Sequence, residues 1–449
     1  MDDIVLPPKL LTTLSNAVDI VNGHDFIHVY SHYDADGISS ATIIAKTLLR
    51  AKKEFNVTLF TSLDDPSMEI IRKTTSECII LTDLGASYIE QLDDLECDVV
   101  VLDHHTVEQQ AKRICYANPH LYGIDGMTSG CGATMAFLFS IAMNENNWDL
   151  VQVAFAGITG DRQTINGLKG LNIYLYEGGL ERGYIKASEG SLIPPGQLIS
   201  ELYLTTDPYL NGISGNPDGV GELLDSAGIG REKHSGDLTE NEKRKLSSLI
   251  ALKLIEQGTS MQTMSELSRT GYHLKDWNMD AETLGSILNG CGRLGLGGVG
   301  ISAGIGDAKS LAEAKELDNT SRAQTMSGVL LVKKNGLNQM KNIQWFDSST
   351  IGFTGMICGI AMQFIGDPNK PTIGINRSED EDITKISSRA TFALLDKGLD
   401  LSKALKEACA SVGGAGGGHK IASGGSCPIE RSEEFLSNLD KIVGRQLGK

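Results

Sequence analysis

The stretch His28–Ala41, HVYSHYDADGISSA, decides how this chain is read. An apolar run ends within it, and His32, Asp34 and Asp36 follow at alternate positions. The surrounding DFIHVYSHYD predicts a strand running into a loop, and ISSATIIAKTLLRAKKEF predicts an amphipathic helix. Negative charge at the end of a buried strand has two explanations. Either the acids are solvated loop residues, or something positive sits against them. Two more runs share this form: ECIILTDLG carries Asp83, and DVVVLDHH ends in Asp103, His104 and His105. A fourth apolar segment, VQVAFAGITGD, reads as helix or strand and ends in Asp161.

Short continuous apolar runs suit strands buried on both faces, as in a parallel sheet covered by helices. In open α/β sheets, ligands bind at the carboxyl ends of the strands. Independently placed acids would therefore meet in one crevice, where they would repel and raise one another's pKa. Bound divalent cations remove that cost. In an extended segment, positions i, i+2 and i+4 face one side, so His32, Asp34 and Asp36 can point together. Carboxylates with imidazoles and no thiolate suit Mn²⁺ or Mg²⁺ better than structural zinc. A carboxylate shared by two ions would hold them about 3.5–4 Å apart, the spacing used for phosphoryl displacement. Each piece alone has a plainer origin. A D-x-D is common in loops, adjacent histidines are commonly surface residues, and Asp83 alone would cap a helix at GASYIEQL. The joint arrangement is what points to a metal site.

With 449 residues, the chain is long enough for two to three domains. Residues 1–300 read as an α/β domain, with a turn-rich helical insertion at about 185–280. Residues 301–327 read as a long connecting helix, and 328–449 as a second, smaller α/β domain. The net charge of −17 excludes a broadly basic nucleic-acid coat and mostly serves solubility. Any nucleic acid would have to be held by a local groove or by metal ions. The eight cysteines are scattered and form no C-x-x-C pair, which predicts reduced thiols in a cytoplasmic protein. The start, MDDIVLPPKL, does not resemble a signal peptide, and no apolar run approaches a membrane span. Two glycine-rich stretches distract. GCGRLG satisfies a dinucleotide pattern, but the helical AETLGSILN precedes it where a strand is required. GGAGGGHK lacks the Gly-Lys-Ser/Thr of a phosphate loop; its His419 and Lys420 favour an anion nest of backbone N–H groups over a flexible linker.

In order, SHYDADG, LTDLG, LDHH and GITGD resemble the four motifs of DHH phosphoesterases. LNGCGRLG resembles the Asn-x-x-Gly-Arg element of RecJ nucleases, and ISSRAT with GGAGGGHKIASGG resembles the DHH-associated C-terminal domain. The resemblance covers the chain apart from residues 180–280. Its form, with SHxDADG and no extra C-terminal modules, is that of archaeal RecJ-like proteins, including the GINS-associated nuclease.

That resemblance implies an exonuclease that releases mononucleotides from single-stranded DNA or RNA in replication or repair. It implies two Mn²⁺ or Mg²⁺ as cofactors, and GINS or another replication or repair protein as partner. Asp34 and Asp83, assisted by His32, would hold one ion. Asp36, Asp83, His104 and Asp161 would hold the other, with Asp83 bridging. Asp103 would orient His104, and His105 would donate to the scissile phosphate. Asn289, Arg293, Arg389, Gly417, Gly418 and His419 would bind nucleotide phosphates. The chain departs from its relatives at His32, where bacterial RecJ usually has Asp, and at Tyr30, where other DHH enzymes have His. The same motifs would serve a small-substrate phosphodiesterase acting on oligoribonucleotides or cyclic dinucleotides, or a manganese pyrophosphatase. A non-catalytic replisome scaffold would have lost metal ligands, and every acid is present here.

Overall fold

Strands β1 (Phe26–His32), β2 (Glu54–Phe60), β3 (Cys78–Thr82), β4 (Asp98–Leu102) and β5 (Cys115–Ala117) pair in parallel, in the order β2-β1-β3-β4-β5. The computed structural model in which they are seen describes residues 6–267, 269–378 and 382–448. β3 is buried along its whole length and β4 beyond its first residue, because both faces of the sheet are covered. Ile80, Val100 and Leu102 enter one apolar cluster together with Ile43, Phe137 and Phe155 from covering helices. Ile79, Leu81 and Val101 enter another, with Ile71 and Leu92. Since all five strands run the same way, their carboxyl ends lie along one edge of the sheet.

By packing, the chain divides into two compact units: residues 1–190 with 268–321, and residues 191–267 with 322–449. These boundaries differ from those expected. In the first unit, Ile185–Ser188 pairs antiparallel with Gly271–Leu274, so the inserted segment leaves and returns through adjacent strands. The insertion itself packs within the second unit rather than with the first. Its Leu198, Leu202, Leu224, Leu246 and Ile250 share a core with Met326, Val329, Phe346 and Ile357, which gives their apolar faces a partner. The long helix expected at 301–327 instead spans Ala308–Asn335. A separate helix, Gly297–Ile305, ends at Gly306 in a left-handed conformation (φ 114°), and Asp307 then accepts the Ser310 N–H at 2.7 Å to start the next.

The second unit also holds a six-stranded mixed sheet. Its order is Ala415–Gly418, Ala422–Pro428, Ile383–Arg389, Thr372–Ser378, Gln344–Asp347 and Asn338–Gln339. Helices Leu401–Ala410 and Ser432–Gln446 contribute Leu405, Ala408, Phe435 and Leu439 to its core. Among the described residues, no helix is long and apolar enough to cross a membrane.

Candidate metal centre

β1 ends at His32, and the chain turns at once into the helix Ala35–Arg50. Asp34 is the N-cap of that helix, its Oδ1 accepting the Gly37 N–H at 3.0 Å. The extended reading holds through Asp34, whose backbone is still extended, and fails at Asp36, because the capping bond commits the chain to helix from Ala35. The acids still converge, by a different route. His32 Nδ1 lies 3.0 Å from Asp34 Oδ2 and 3.7 Å from Asp83 Oδ2. Asp36, in the first helical turn, is turned toward a second helix, Gly132–Met143. The Gly132 and Ala133 N–H groups donate to its two oxygens at 2.7 and 2.8 Å.

Asp83 follows β3 with φ 56°, a left-handed conformation that Asp tolerates better than most residues. Its N–H donates to Leu102 O at 3.0 Å, which ties it to the end of β4. The carboxylate is buried, with Oδ1 3.2 Å from His104 Nε2. His104 Nδ1 lies 2.8 Å from Gly126 O, so Nδ1–H donates there and Nε2 is turned toward Asp83 and, at 3.7 Å, Asp36. Asp161 is the C-cap of the helix Val151–Gly160, and its Oδ2 lies 3.9 Å from His104 Nδ1.

Asp103 behaves differently from expectation. It bonds the backbone N–H of His104 at 2.7 Å, but the ring it holds is that of His105, whose Nδ1 lies 2.8 Å from Asp103 Oδ1. The partner that orients the His104 ring is the Gly126 carbonyl, because Asp103 faces the other way and also accepts the Ala86 N–H at 2.7 Å.

The charges record the crowding. Burial first, then the charge of Asp83, pushes Asp36 well above the usual carboxylate range. Burial drives Asp161 up to about 6, against the nearby His104 and with help from Asp83 and Asp34. Burial would also raise Asp83, but hydrogen bonds from His104 and His32 outweigh it and hold it far below. Burial would lower both imidazoles. Asp161, Asp83 and Asp36 nevertheless hold His104 well above its ordinary value, and Asp34 with Asp83 does the same for His32.

Among the described residues, potential ligand atoms within 4.8 Å of one another form three groups. These are His32, Asp34 and Asp83; Asp36, His104 and Asp161; and Asp83, Asp103, His104 and His105. The donors are carboxylate oxygens and imidazole nitrogens. The nearby Cys131 thiol is pushed well above its ordinary pKa by burial and then by Asp36, so it stays protonated and adds no thiolate. This donor set fits a hard or borderline divalent cation.

Asn289 and Arg293 lie one helical turn apart on Ala281–Arg293. Gly292 of this helix lies against the Tyr33 carbonyl, where a Cβ would overlap Tyr33 O, and so the helix closes on the turn between β1 and the Asp34 cap. Burial lowers the Arg293 pKa while the charges of Tyr33, Asp318 and Asp34 oppose it, which places the guanidinium near the site.

In the second unit, Arg389 ends its strand opposite Ala422, and Ala390 N–H donates to Ile421 O at 2.9 Å. Arg389 and the tip at His419–Ala422 thus share one end of the sheet. Gly417 and Gly418 do not form the expected nest. They pair with Gly424 and Ser423 in an edge strand, in a hairpin whose Gly416 and Gly425 come too close to the helix residue Cys409 to admit a Cβ.

Sequence reasoning missed the Gly132 and Ala133 amides and the Gly126 carbonyl. Only the first left a trace, in the small residues of SGCGAT that open the second helix.

A parallel sheet whose strand ends gather carboxylates and imidazoles defines a metal-binding hydrolase architecture. Residues 26–158 match the DHH family, N-terminal domain, and residues 349–445 match the DHHA1 domain. An uncharacterised protein of Methanocaldococcus jannaschii is 30% identical over 440 residues, 95% of each chain. The fold is similar to that of exonuclease RecJ bound to manganese (TM-score 0.58, 16% identity, 98% of this chain and 96% of that one). It is also similar to RecJ with Mn²⁺ from Thermus thermophilus (TM-score 0.61, 15% identity, 99% and 56%) and to CDC45 from Entamoeba histolytica (TM-score 0.67, 10% identity, 97% and 99%). The chain belongs to the DHH family and carries a DHHA1 domain in its C-terminal part.

Proposed function

We propose that the protein is a divalent-metal-dependent exonuclease that releases mononucleotides from single-stranded DNA or RNA, with a role in replication or repair and GINS or a similar protein as partner. The observation that carries this reading is the complete donor set: His32, Asp34 and Asp83 on one side, and Asp36, His104 and Asp161 on the other, with Asp83 within reach of both histidines. Those two groups would hold two Mn²⁺ or Mg²⁺ ions, Asp83 between them. Ions bound there would neutralise the scissile phosphate and activate a water.

The chain's own residues would do the rest. Asp103 orients His105 through Nδ1, and the imidazole would donate to a phosphate oxygen. Burial would lower its pKa, but Asp103 outweighs burial and raises it, so the ring favours the cationic form that a phosphate needs. Arg293 would bind a neighbouring phosphate from beside Asp34. Arg389 and the His419 tip, in the second unit, would bind substrate phosphates. The intact acids argue against a scaffold that has lost catalysis, and the Asn289–Arg293 element favours a polymer over a dinucleotide.

The test is a time course with Mn²⁺ on single-stranded DNA and RNA, labelled in turn at each end. Mononucleotides released progressively from one end are expected. Internal fragments, or turnover confined to dinucleotides, would refute the reading.

A further inference from the structure

Beyond the ligands themselves, a buried chain of polar side chains reaches the metal centre from the helices behind it. The Thr134 hydroxyl donates to Asn172 Oδ1 at 2.7 Å, which leaves Asn172 Nδ2 to donate to Gln163 Oε1 at 2.8 Å. Gln163 Nε2 then spends both hydrogens on the site. One goes to Asp161 Oδ2 at 2.7 Å, the other to Gly126 O at 2.8 Å. Gly126 O is also the acceptor that fixes the His104 ring. Gln163 is 3% exposed, while Thr134 and Asn172 are fully buried. Every donor in the chain points toward the site, so the amide of Gln163 has a single satisfied orientation.

We propose that Gln163 is a positioning residue for the cation subsite formed by Asp36, His104 and Asp161, and that Asn172 acts through it. This rests on the metal-dependent reading above. With one amide, Gln163 fixes the Asp161 carboxylate so that Oδ1 is left for a cation, and holds the carbonyl that sets the His104 tautomer. Two of the subsite's three donors are therefore set by one side chain that touches neither substrate nor cation. Partners of this kind are worth 10–100-fold in metal affinity where they have been removed.

The direct variant is Gln163→Met, which keeps the length and removes both donors. The remote variant is Asn172→Asp. It still accepts from Thr134 but turns a second acceptor toward Gln163 Oε1, so the Gln163 amide flips and presents oxygen to Asp161 and Gly126. Mn²⁺ binding to the full chain is measured by calorimetry and by electron paramagnetic resonance, with melting curves of the metal-free protein alongside.

Both variants are expected to lose about 10–100-fold in affinity for one Mn²⁺ equivalent. The other equivalent and the KM for a 30-mer oligonucleotide should stay within about twofold, which is under 0.5 kcal/mol. Titrations that superimpose on wild type would overturn the proposal, whatever the melting curves show. Unfolding of both variants that saturating Mn²⁺ does not reverse would also overturn it, by making Gln163 a structural residue. A wild-type chain that binds no Mn²⁺ would refute the metal centre itself, a separate and recognisable failure.

Discussion

Replacing Asp83 with Asn removes one buried charge and leaves the backbone content. At φ 56° an Ala would add about 1–2 kcal/mol of left-handed strain, which Asn avoids. Without metal some stability is lost, because His104 and His32 hold the Asp83 carboxylate far below its usual range, and the eased repulsion on Asp36 offsets only part of that. The first unit has roughly 240 residues, so its unfolding entropy is about 0.5 kcal/mol/K and a 1 kcal/mol change moves its melting point by about 2 °C. Metal-free Asp83→Asn is expected to melt below wild type by more than that margin, since hydrogen bonds to a charged group are worth roughly 1.5–3 kcal/mol.

With Mn²⁺ at about 100 times its dissociation constant, wild type gains about 2.7 kcal/mol, or about 5 °C by the same conversion. Asp83→Asn should show none of that gain at the same concentration, since it removes the carboxylate that faces both His32 and His104. Its turnover should fall by two decades or more, about 2.7 kcal/mol of barrier. Melting curves with and without Mn²⁺, beside nucleotide-release kinetics, read both quantities. A variant that keeps the Mn²⁺ shift and more than about a tenth of the rate, less than 1.4 kcal/mol of barrier, refutes the bridging role.

His104→Ala should reduce bound metal by elemental analysis, whereas His105→Ala should retain it and slow turnover; equal metal loss in both would show the roles wrongly divided. Mn²⁺ affinity should rise between pH 6 and pH 8. His32, His104 and Asp36 all have raised pKa values and Asp161 sits at about 6, so a cation must displace protons that are held more firmly at low pH. Calorimetry in buffers of different ionisation enthalpy should show proton release, and equal affinity at both pH values would contradict this. Arg389→Ala and His419→Ala should raise KM for oligonucleotides about tenfold, about 1.4 kcal/mol, with kcat within about twofold. Lowered melting points at normal KM would mark both as structural.

The strand ends were readable because buried parallel strands write themselves as unbroken apolar runs, and a run such as CIILTD has one polar exit. VQVAFAGITG resisted assignment for the same reason. Small apolar residues on every side erase the period that separates helix from strand, and only the packing of Val151–Gly160 decides it. The glycine run misled through propensity. Glycine is depleted in strands, yet Ala415–Gly418 pairs as an edge strand, with Gly416 set too close to Leu405 and Cys409 for a Cβ. The side chain held by Asp103 was invisible in sequence, since the His104 and His105 rings lie side by side, 4.4 Å between centroids, and spacing alone does not say which one the carboxylate reaches. The unit to which residues 191–267 belong was equally hidden, because an apolar face does not name its partner.

The discontinuity of both units has a consequence for synthesis. The insertion leaves the ribosome with Leu246 and Ile250 ready to pack, but Phe346 and Ile357, part of the core that receives them, are encoded about 100 residues later. At roughly 5–20 residues per second this is a wait of about 5–20 seconds. The first unit is held open as well, because the helix bearing Arg293 follows the insertion. Neither half can therefore finish before the other has largely emerged. The nascent chain carries unburied helices through that interval, which makes it a natural client for a chaperone that binds apolar segments.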